Sequence, residues 1–331
     1  MDRMNLRLKK QPFRPLACLA NGHLQSIAGC IWRRRFPAVE SRLVQQRICL
    51  NNGAVLQMER IDLDPRRPHL LVVHGMAGSS RSSYMLALAT KALSLGWNAT
   101  LLNLYDSSNR KPPHIFHAGS SCELEEIVGR LREQLRGGPW FAVGVSLGGN
   151  QLLKLLGERG GNLVGMLAGV AVISPVLNLP LAAKCLESVS NSLYRIYFVQ
   201  RLKRIISRNP KRWKAAVDLK RLDRVRSVKE FDNLVTAPLS GFDGAHDYYQ
   251  RSSCAPLLSN IRVPTFLLHA RDDPILSCSP LESPAVKSNP CLQVCLTNYG
   301  GHVGFIGKSG QDKDCFWAEN RVLDFFRFLV E

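Results

Sequence analysis

The stretch Gly144-Val145-Ser146-Leu147-Gly148 has the pattern G-x-S-x-G and decides the fold prediction. The apolar residues 141–143 before it are typical of a buried strand, and the leucine spacing over 149–156 is typical of a helix. A strand, a sharp turn and a helix in this order expose the hydroxyl of the central serine, and the flanking glycines leave room for the crowded turn. The pattern often arises by chance, so its meaning depends on an acid and a histidine later in the chain.

Two adjacent acids follow a later strand-like run. Residues 263–270 are largely apolar and lead into Arg271-Asp272-Asp273-Pro274. An acid just beyond the carboxyl end of a strand is well placed to orient a histidine that acts as a base. We favour Asp273 for this role because the run 274–276 follows it directly, and Asp272 is the alternative.

A histidine flanked by glycines completes the set. Residues 291–296 are typical of another strand and lead to Tyr299-Gly300-Gly301-His302-Val303-Gly304. Glycines on both sides of His302 allow a loop to carry the imidazole back over the sheet edge toward Ser146. The chain order Ser146, Asp273, His302 is the order of nucleophile, acid and base in α/β-hydrolases.

An early loop supplies the fourth element of the predicted site. The apolar run 70–73 ends in His74-Gly75-Met76-Ala77-Gly78, where α/β-hydrolases carry a loop of their oxyanion hole. We expect the backbone N–H groups of Met76 and Leu147 to bind the developing oxyanion together. Each piece, taken singly, also fits an ordinary turn or loop residue. Four pieces in the required order, each at a strand end, favour an active site.

The order of predicted strands and helices indicates an α/β fold. Asn51-Asn52-Gly53 between the runs 43–50 and 54–61 predicts an antiparallel hairpin. Strands and helices then alternate, which is typical of parallel strands joined by crossover helices. The alternation stops after a strand at 168–173 and resumes near residue 264. We therefore predict an α/β-hydrolase fold with a mostly parallel central sheet, helices on both faces and an inserted helical cap.

The length of 331 residues fits one catalytic unit. We expect a single α/β-hydrolase domain over 1–331, with an N-terminal extension at about 1–42 and a cap insertion at about 176–260. The uncharged stretch 163–183 is long enough to span a bilayer, but its prolines and strand pattern favour a buried strand and a loop. An apolar helical stripe over 194–206 is expected to pack on the core, and an acyl-chain wall or a membrane-facing surface are its alternatives.

These motifs and several others resemble the YheT-like branch of the α/β-hydrolases, which includes abhydrolase-domain esterases. The resemblance extends over nearly the whole chain. Its further segments are 13–15, 21–26, 231–232, 236–238, 241–242, 247–249 and 304–305. The chain departs from the branch after the predicted strand 99–103, where it reads Leu104-Tyr105-Asp106-Ser107-Ser108 in place of the usual Arg-Gly pair.

The resemblance implies a serine hydrolase that cleaves carboxylic esters, either short- to medium-chain esters or acylglycerol-type lipids, through an acyl-enzyme on Ser146. Some relatives carry a histidine with an acid five positions later for acyl transfer, and none of the eight histidines here has that acid. The same triad also suits a thioesterase or an amidase. A non-catalytic binding protein for anionic surfaces is the alternative from another class. The predicted chemistry needs no cofactor and no metal.

The net charge of +18 is concentrated in two segments. Residues 1–47 hold ten Lys and Arg against two acids, and residues 195–230 hold thirteen against three. Basic segments of this kind attract anionic surfaces. We expect a small ester or lipid substrate and a peripheral contact with anionic membranes. An ordinary solvated basic surface is favoured over nucleic acid as a partner, because no nucleic-acid-binding motif accompanies the arginines. The sequence carries no signal for an oligomeric state.

The cysteines and the start of the chain bear on localisation. Residues 1–12 contain no apolar stretch of signal-peptide type. The ten cysteines are scattered, without C-x-x-C spacing or a zinc-like pattern of Cys and His. Both observations favour free thiols in a reducing compartment. We therefore expect a cytoplasmic protein, with the membrane periphery as the alternative.

Overall fold

Within the described residues, eight strands form one sheet in the order β1-β2-β4-β3-β5-β6-β7-β8. The structure, a computed structural model, describes residues 11–108, 114–135, 137–308, 312 and 314–331. Residues 1–10, where the predicted N-terminal extension begins, lie outside this part of the chain. The strands are β1 Val44–Cys49, β2 Val55–Ile61, β3 His69–Val73, β4 Asn98–Asp106, β5 Trp140–Val145, β6 Gly169–Ile173, β7 Thr265–Ala270 and β8 Leu292–Thr297.

Strand directions confirm the predicted hairpin and the predicted parallel sheet. Strand β2 runs antiparallel to β1 and to β4, and all other neighbours are parallel. The chain forms β4 on one side of β3 and then β5 on the other side. The carboxyl ends of β3 and β5 therefore meet where the strand order reverses, which is the usual place for a ligand in such sheets.

Helices connect the strands and cover both faces of the sheet. The α-helices are α1 Gly22–Ile31, α2 Pro37–Glu40, α3 Ser83–Ser94, α4 Ser121–Gln134, α5 Leu147–Arg159, α6 Leu179–Glu187, α7 Ser192–Ser207, α8 Pro210–Trp213, α9 Leu219–Arg224, α10 Val228–Phe231, α11 Ala237–Leu239, α12 Ala245–Ser252, α13 Pro284–Lys287 and α14 Trp317–Val330. A π-helical turn, Asp232–Thr236, joins α10 to α11. Short 3₁₀ segments are Ala17–Leu19, Gly160–Leu163, Val189–Asn191, Ala255–Asn260 and Ser279–Glu282.

The core has two layers because alternate strand residues point to opposite faces of the sheet. Leu71 and Val73 of β3 pack with α4 and α5 on one face. Leu70 and Val72 of the same strand pack with α3 and α14 on the other face. The predicted fold class is thus confirmed, with a mostly parallel sheet between two layers of helices.

A third apolar cluster lies in the helical segment between β6 and β7, which comprises α6 to α12. The uncharged stretch 163–183 contains a buried strand, β6, as predicted. Its end forms the start of α6, where the sequence indicated a loop. No helix in the described part of the chain is long and apolar enough to cross a membrane.

Strand β4 is longer than predicted. It continues through Leu104 to Asp106, whereas the sequence indicated a loop from residue 104. A register shift beside Leu56 lets Asp106 pair with β2. The Asp106 carboxylate then accepts the N–H groups of Val55, Ser108 and His114, and these bonds hold the strand end in place.

Candidate active site

Ser146 lies on the sharp turn between β5 and α5. Its backbone has φ 54° and ψ −114°, a conformation that non-glycine residues rarely adopt. A Cβ atom at Gly144 would come within 2.5 Å of Gly148 O, and one at Gly148 within 2.6 Å of His74 O. The predicted crowding at both glycines is therefore confirmed. The strained turn presents the Ser146 hydroxyl above the carboxyl ends of the strands.

His302 brings the serine and an aspartate together. Its Nε2 lies 3.1 Å from Ser146 Oγ, and its Nδ1 lies 2.8 Å from Asp273 Oδ2. The Asp273 side chain is fully buried, and that of His302 is 11 % exposed. Three residues that are far apart in the chain therefore form one continuous line of hydrogen bonds.

The environment of Asp273 determines which of the hydrogen-bonded atoms of Asp273, His302 and Ser146 carry protons. Burial opposes ionisation, but the imidazole of His302, the nearby His269 and the N–H of Ile275 together lower the pKa of Asp273 below its ordinary value. Oδ1 of Asp273 accepts the N–H groups of Ile275 and Leu276 at 2.9 and 3.0 Å. An ionised carboxylate only accepts hydrogen bonds, so Nδ1 of His302 carries the proton. Its Nε2 is then free to accept the Ser146 hydroxyl.

Asp272, the alternative acid, has a different environment. Its Oδ1 accepts the N–H of Gly301 at 2.8 Å, and it therefore supports the backbone of the loop that carries His302. Burial raises the pKa of Asp272, and the neighbouring charge of Asp273 adds to this effect. The structure thus places Asp273 against the imidazole and Asp272 behind the loop.

Helix α1 supports the same loop. Ser26 Oγ accepts the N–H of His302 at 2.7 Å and donates to Gly22 O at 2.6 Å. The side-chain amide of Gln25 donates to Ile306 O at 2.9 Å and accepts its N–H at 2.8 Å. Residues 21–26 match a segment of the resembled branch, but the sequence alone gives them no role at the site. The Gln and Ser on one helical face were the available signal.

The loop after β3 lies beside the turn that carries Ser146. A Cβ atom at Gly75 would be 3.7 Å from Ser146 Oγ. The buried His74 holds this loop, because its Nδ1–H donates to Gly75 O at 2.8 Å and its Nε2 accepts the N–H of Leu104 at 3.1 Å. Burial lowers the pKa of His74, although the Gly75 hydrogen bond opposes this, and keeps the imidazole neutral as these bonds require.

The two residues predicted to form the oxyanion hole are both at the site. Met76 and Leu147 line the cavity that contains Ser146 and His302. Neither backbone N–H has an acceptor among the described residues. Leu147 is also the first residue of α5, where N–H groups have no partner inside the helix. Their role toward an oxyanion stays a prediction.

A cavity of about 560 Å³ opens above Ser146. Part of its apolar lining comes from residues before and on α6, on α7 and after β7, which include Val176, Leu179, Ala182, Ala183, Leu186, Phe198, Leu202, Ile205, Ile275 and Leu276. The stripe over 194–206 was expected to pack on the core, and Ile206 is indeed buried. Phe198 and Leu202 pack against the apolar cluster that contains Ile206. Together with Ile205 they also line the cavity. The packing predicted for the stripe is therefore confirmed, and its alternatives, an acyl-chain wall or a membrane-facing surface, stay predictions.

An ion pair links the helical segment between β6 and β7 to the sheet. Arg212 of α8 donates to Asp106 Oδ2 at 2.8 Å, and the Asp106 side chain is fully buried. The guanidinium also lies 5.6 Å from the ring centroid of Tyr105. Tyr105 and Asp106 belong to the segment 104–108, in which the sequence differs from the resembled branch. The residues particular to this chain therefore form the contact between α8 and the end of β4. No group of three or more His, Cys, Asp or Glu within the described ranges could hold a metal ion.

A serine on a strand-to-helix turn, a histidine loop and a buried aspartate on a mostly parallel sheet define the class of α/β-hydrolases. A family profile described as "alpha/beta hydrolase fold" matches residues 68–309. The protein YheT of Escherichia coli (strain K12), named for a proposed esterase activity, is 31% identical over 96% of this chain and 94% of its own length. The chain belongs to the α/β-hydrolase family, and within it to the YheT-like branch.

Two further comparisons agree with this assignment. The monoacylglycerol lipase of Saccharomyces cerevisiae (strain ATCC 204508 / S288c) is 28% identical over 76% of this chain, which spans 58% of the lipase. The crystal structure of the Pyrococcus furiosus esterase Pf2001 superposes with a TM-score of 0.59 at 15% identity, over 90% of this chain and 95% of that one. At this identity the superposition shows the fold alone.

Proposed function

We propose that this chain hydrolyses carboxylic esters through an acyl-enzyme on Ser146. The observation that carries the proposal is the line of hydrogen bonds from Asp273 through His302 to Ser146, which ends at the floor of a largely apolar cavity. A serine hydroxyl alone is a weak nucleophile at neutral pH, and an adjacent base activates it. The similarity to esterases and a lipase agrees with an ester substrate.

In the first half of the reaction, Ser146 Oγ attacks the carbonyl carbon of the ester while Nε2 of His302 takes the hydroxyl proton. Asp273 stabilises the imidazolium that forms. The N–H groups of Met76 and Leu147 bind the oxyanion, and each such donor lowers the barrier by roughly 3–4 kcal/mol in comparable enzymes. The tetrahedral intermediate then expels the alcohol, which receives the proton from His302.

In the second half, a water molecule attacks the acyl-enzyme. His302 takes a proton from this water, the oxyanion forms again at the same N–H groups, and Ser146 leaves with the proton. The products are the carboxylic acid and the regenerated enzyme. All bonds are made and broken by the substrate, water and these side chains.

The apolar part of the cavity lining is suited to bind an acyl chain. Phe198, Leu202 and Ile205 of α7 line the cavity together with Leu179 and Leu186 of α6. Such a surface favours hydrocarbon over water by roughly 25 cal/mol for each Å² buried. We propose that α6 to α12 act as a cap over the active site and that this wall holds the acyl group of a short- to medium-chain ester.

Two buried polar atoms of lining residues favour the proposal of an acylglycerol-type leaving group. Gln151 Oε1 and Trp213 Nε1 belong to buried lining residues, and neither atom has a hydrogen-bond partner among the described residues. Buried polar atoms are usually paired, so these two are suited to substrate groups. A carbonyl-type oxygen accepts a hydroxyl hydrogen and an indole N–H donates to an oxygen. The free hydroxyl groups of an acylglycerol supply both a hydrogen to donate and an oxygen that accepts.

A hydrolysis panel tests the proposal. p-Nitrophenyl esters of increasing chain length, a thioester and an anilide are incubated with the protein, with Ser146→Ala and with Ser288→Ala, which changes an exposed serine elsewhere. We expect ester hydrolysis by the parent and by Ser288→Ala, and a loss of at least about 10⁴-fold in Ser146→Ala. A preference for the thioester or anilide would reassign the substrate class. Activity equal in both variants would overturn the proposal.

A further inference from the structure

Two neighbouring helices present an apolar surface to solvent. Of the fourteen large hydrophobic side chains exposed among the described residues, eight lie on α1, on α7 or directly beside them. They are Leu24, Ile27, Ile31, Trp32, Val189, Leu193, Ile196 and Tyr197, and we call them the α1–α7 face. Single exposed apolar residues are ordinary, whereas a group at one place indicates an interaction surface.

Helices α1 and α7 are in direct contact. The ring of His23 on α1 stacks on that of Tyr194 on α7, with 5.7 Å between the ring centroids. His23 Nδ1 also lies 3.1 Å from Tyr194 Oη, and Cys30 Sγ lies 3.7 Å from Tyr197 Oη. The apolar residues of the two helices therefore belong to one continuous region.

On α1 the exposed residues form one stripe. Leu24, Ile27 and Ile31 are spaced by three and four positions, which places them on the same side of a helix. Gln25 and Ser26 on the other side bond to the backbone of the loop that carries His302. The stripe therefore points away from the protein, directly behind the active-site loop.

On α7 the two sides have different surroundings. Leu193 and Ile196 are exposed, whereas Phe198, Leu202 and Ile205 line the cavity above Ser146. Helix α7 thus separates the substrate cavity from the α1–α7 face. A surface that binds this face is therefore separated from the cavity by α7 alone.

Arginines border the same face. Arg33 and Arg35 follow α1 directly, and Arg204 and Arg208 lie at the far end of α7. All four are exposed, and none pairs with an acidic side chain among the described residues. They belong to the two segments, 1–47 and 195–230, that together account for the whole net charge of +18.

We propose that the α1–α7 face binds the surface of a membrane that contains anionic phospholipids. The apolar side chains enter the boundary between headgroups and acyl chains, and the arginines bind headgroup phosphates. Trp32 and Tyr197 carry the amphipathic rings that favour this depth. The contact places the cavity, whose lining includes Arg204 and Arg208, beside the bilayer. It rests on the proposed function for its lipid substrate, but the binding itself needs no turnover.

Vesicle co-sedimentation tests the proposal. Ser146→Ala protein is mixed with vesicles of phosphatidylcholine alone or of phosphatidylcholine with phosphatidylserine, so that no lipid is turned over during the measurement. We expect strong binding to the anionic vesicles and weak binding to the neutral ones. Adding Leu193→Asp with Ile196→Asp lowers the binding by about tenfold or more, because it places two charges on the face. Adding Arg33→Gln with Arg35→Gln also weakens it.

Matched variants serve as controls. Val44 and Val164 are 59% and 60% exposed and lie away from the face, compared with 74% and 56% for Leu193 and Ile196. Val44→Asp with Val164→Asp is therefore expected to bind like the parent. In proteins that retain Ser146, the face and control variants hydrolyse a soluble short-chain ester at the parental rate, because neither pair lines the cavity.

Three outcomes would overturn the proposal. The first is equal binding by the face variant and the Val44 and Val164 control. The second is no binding to either kind of vesicle. The third is a dimer in analytical ultracentrifugation that Leu193→Asp with Ile196→Asp dissociates, which would assign the face to a second copy of this chain. Vesicle binding without ester hydrolysis would contradict the proposed function and leave the binding proposal standing.

Discussion

The Nδ1 atom of His302 lies 2.8 Å from Oδ2 of Asp273, and this contact fixes the orientation of the imidazole toward Ser146. The neighbouring acid, Asp272, bonds to the backbone N–H of Gly301 instead. Two adjacent carboxylates thus hold one loop in different ways, one through its side chain and one through its backbone.

Replacement of each acid by its amide separates these roles. Asp273→Asn is expected to lower kcat by about 10⁴-fold, because an amide favours the wrong imidazole tautomer and no longer stabilises the imidazolium. Asp272→Asn is expected to lower kcat by about tenfold at most, since the amide oxygen still accepts the Gly301 N–H. Steady-state kinetics on a soluble ester, with circular dichroism to confirm folding, measure both. The reverse order of the two losses would reassign the acid to Asp272.

Ser26 is a positioning residue for the same loop. Ser26→Ala removes the acceptor of the His302 N–H, and one lost hydrogen bond of about 1–1.5 kcal/mol corresponds to roughly tenfold. We expect kcat to fall by about this factor with little change in KM, because the imidazole moves and the cavity does not. Ser26→Thr keeps the hydroxyl and is expected to restore most of the rate. An unchanged kcat in Ser26→Ala, or no recovery in Ser26→Thr, would contradict this role.

The mostly parallel sheet and the proposed catalytic residues could be predicted because both depend on local patterns. Buried parallel strands are continuous apolar runs, and Ser146, Asp273 and His302 each follow such a run. Parallel strands end at one edge of the sheet, so residues after different strands meet there. The choice of Asp273 over Asp272 relied on the apolar residues after it, and Ile275 and Leu276 do donate to its carboxylate.

Contacts between segments that are distant in the chain could not be predicted from local sequence patterns. The bond from His302 N–H to Ser26 joins residues 276 positions apart, and no local spacing indicates it. Arg212 and Asp106 likewise meet only because the helices after β6 lie over the sheet. The length of β4 was missed because residues 106–108 are Asp-Ser-Ser, which is typical of a loop. In the structure the carboxylate of Asp106 instead accepts the N–H groups of Val55 and His114.

Trp213 is expected to favour esters whose alcohol group carries a free hydroxyl over esters of simple alcohols. Trp213→Phe keeps an aromatic ring and removes the unpartnered N–H. We expect kcat/KM to fall about fivefold for glycerol monobutyrate and to change little for ethyl butyrate, since one neutral hydrogen bond contributes about 1 kcal/mol. Trp32→Phe, at an exposed tryptophan, is the control. Equal losses for both esters would show that Trp213 only packs in the cavity wall.

Asp232 is expected to make stability depend on pH. Its carboxylate accepts the hydroxyls of Thr236 and Tyr249, yet burial raises the pKa of Asp232 to about 6. The folded protein therefore keeps this proton to a higher pH than the unfolded chain. The contribution favours folding below pH 4 and is lost as the pH rises through 6, by about 3 kcal/mol for a shift of about two units.

Urea unfolding from pH 4 to 8 measures this dependence. We expect Asp232→Asn to flatten the decline in the free energy of unfolding between pH 4 and 7. Asp243→Asn, at an exposed aspartate eleven positions later, is expected to leave the decline unchanged. The same slope in the parent and in Asp232→Asn would show that this carboxyl titrates alike in the folded and unfolded chain.

Mass spectrometry of the protein after reaction with a fluorophosphonate tests the assignment of the nucleophile most directly. Such reagents form a covalent bond with a serine that a neighbouring base activates. We predict one adduct on the peptide that contains Ser146, absent in Ser146→Ala and strongly slowed in His302→Ala. An adduct that persists in Ser146→Ala, one mapped to another residue, or no adduct at all in the parent would contradict the account.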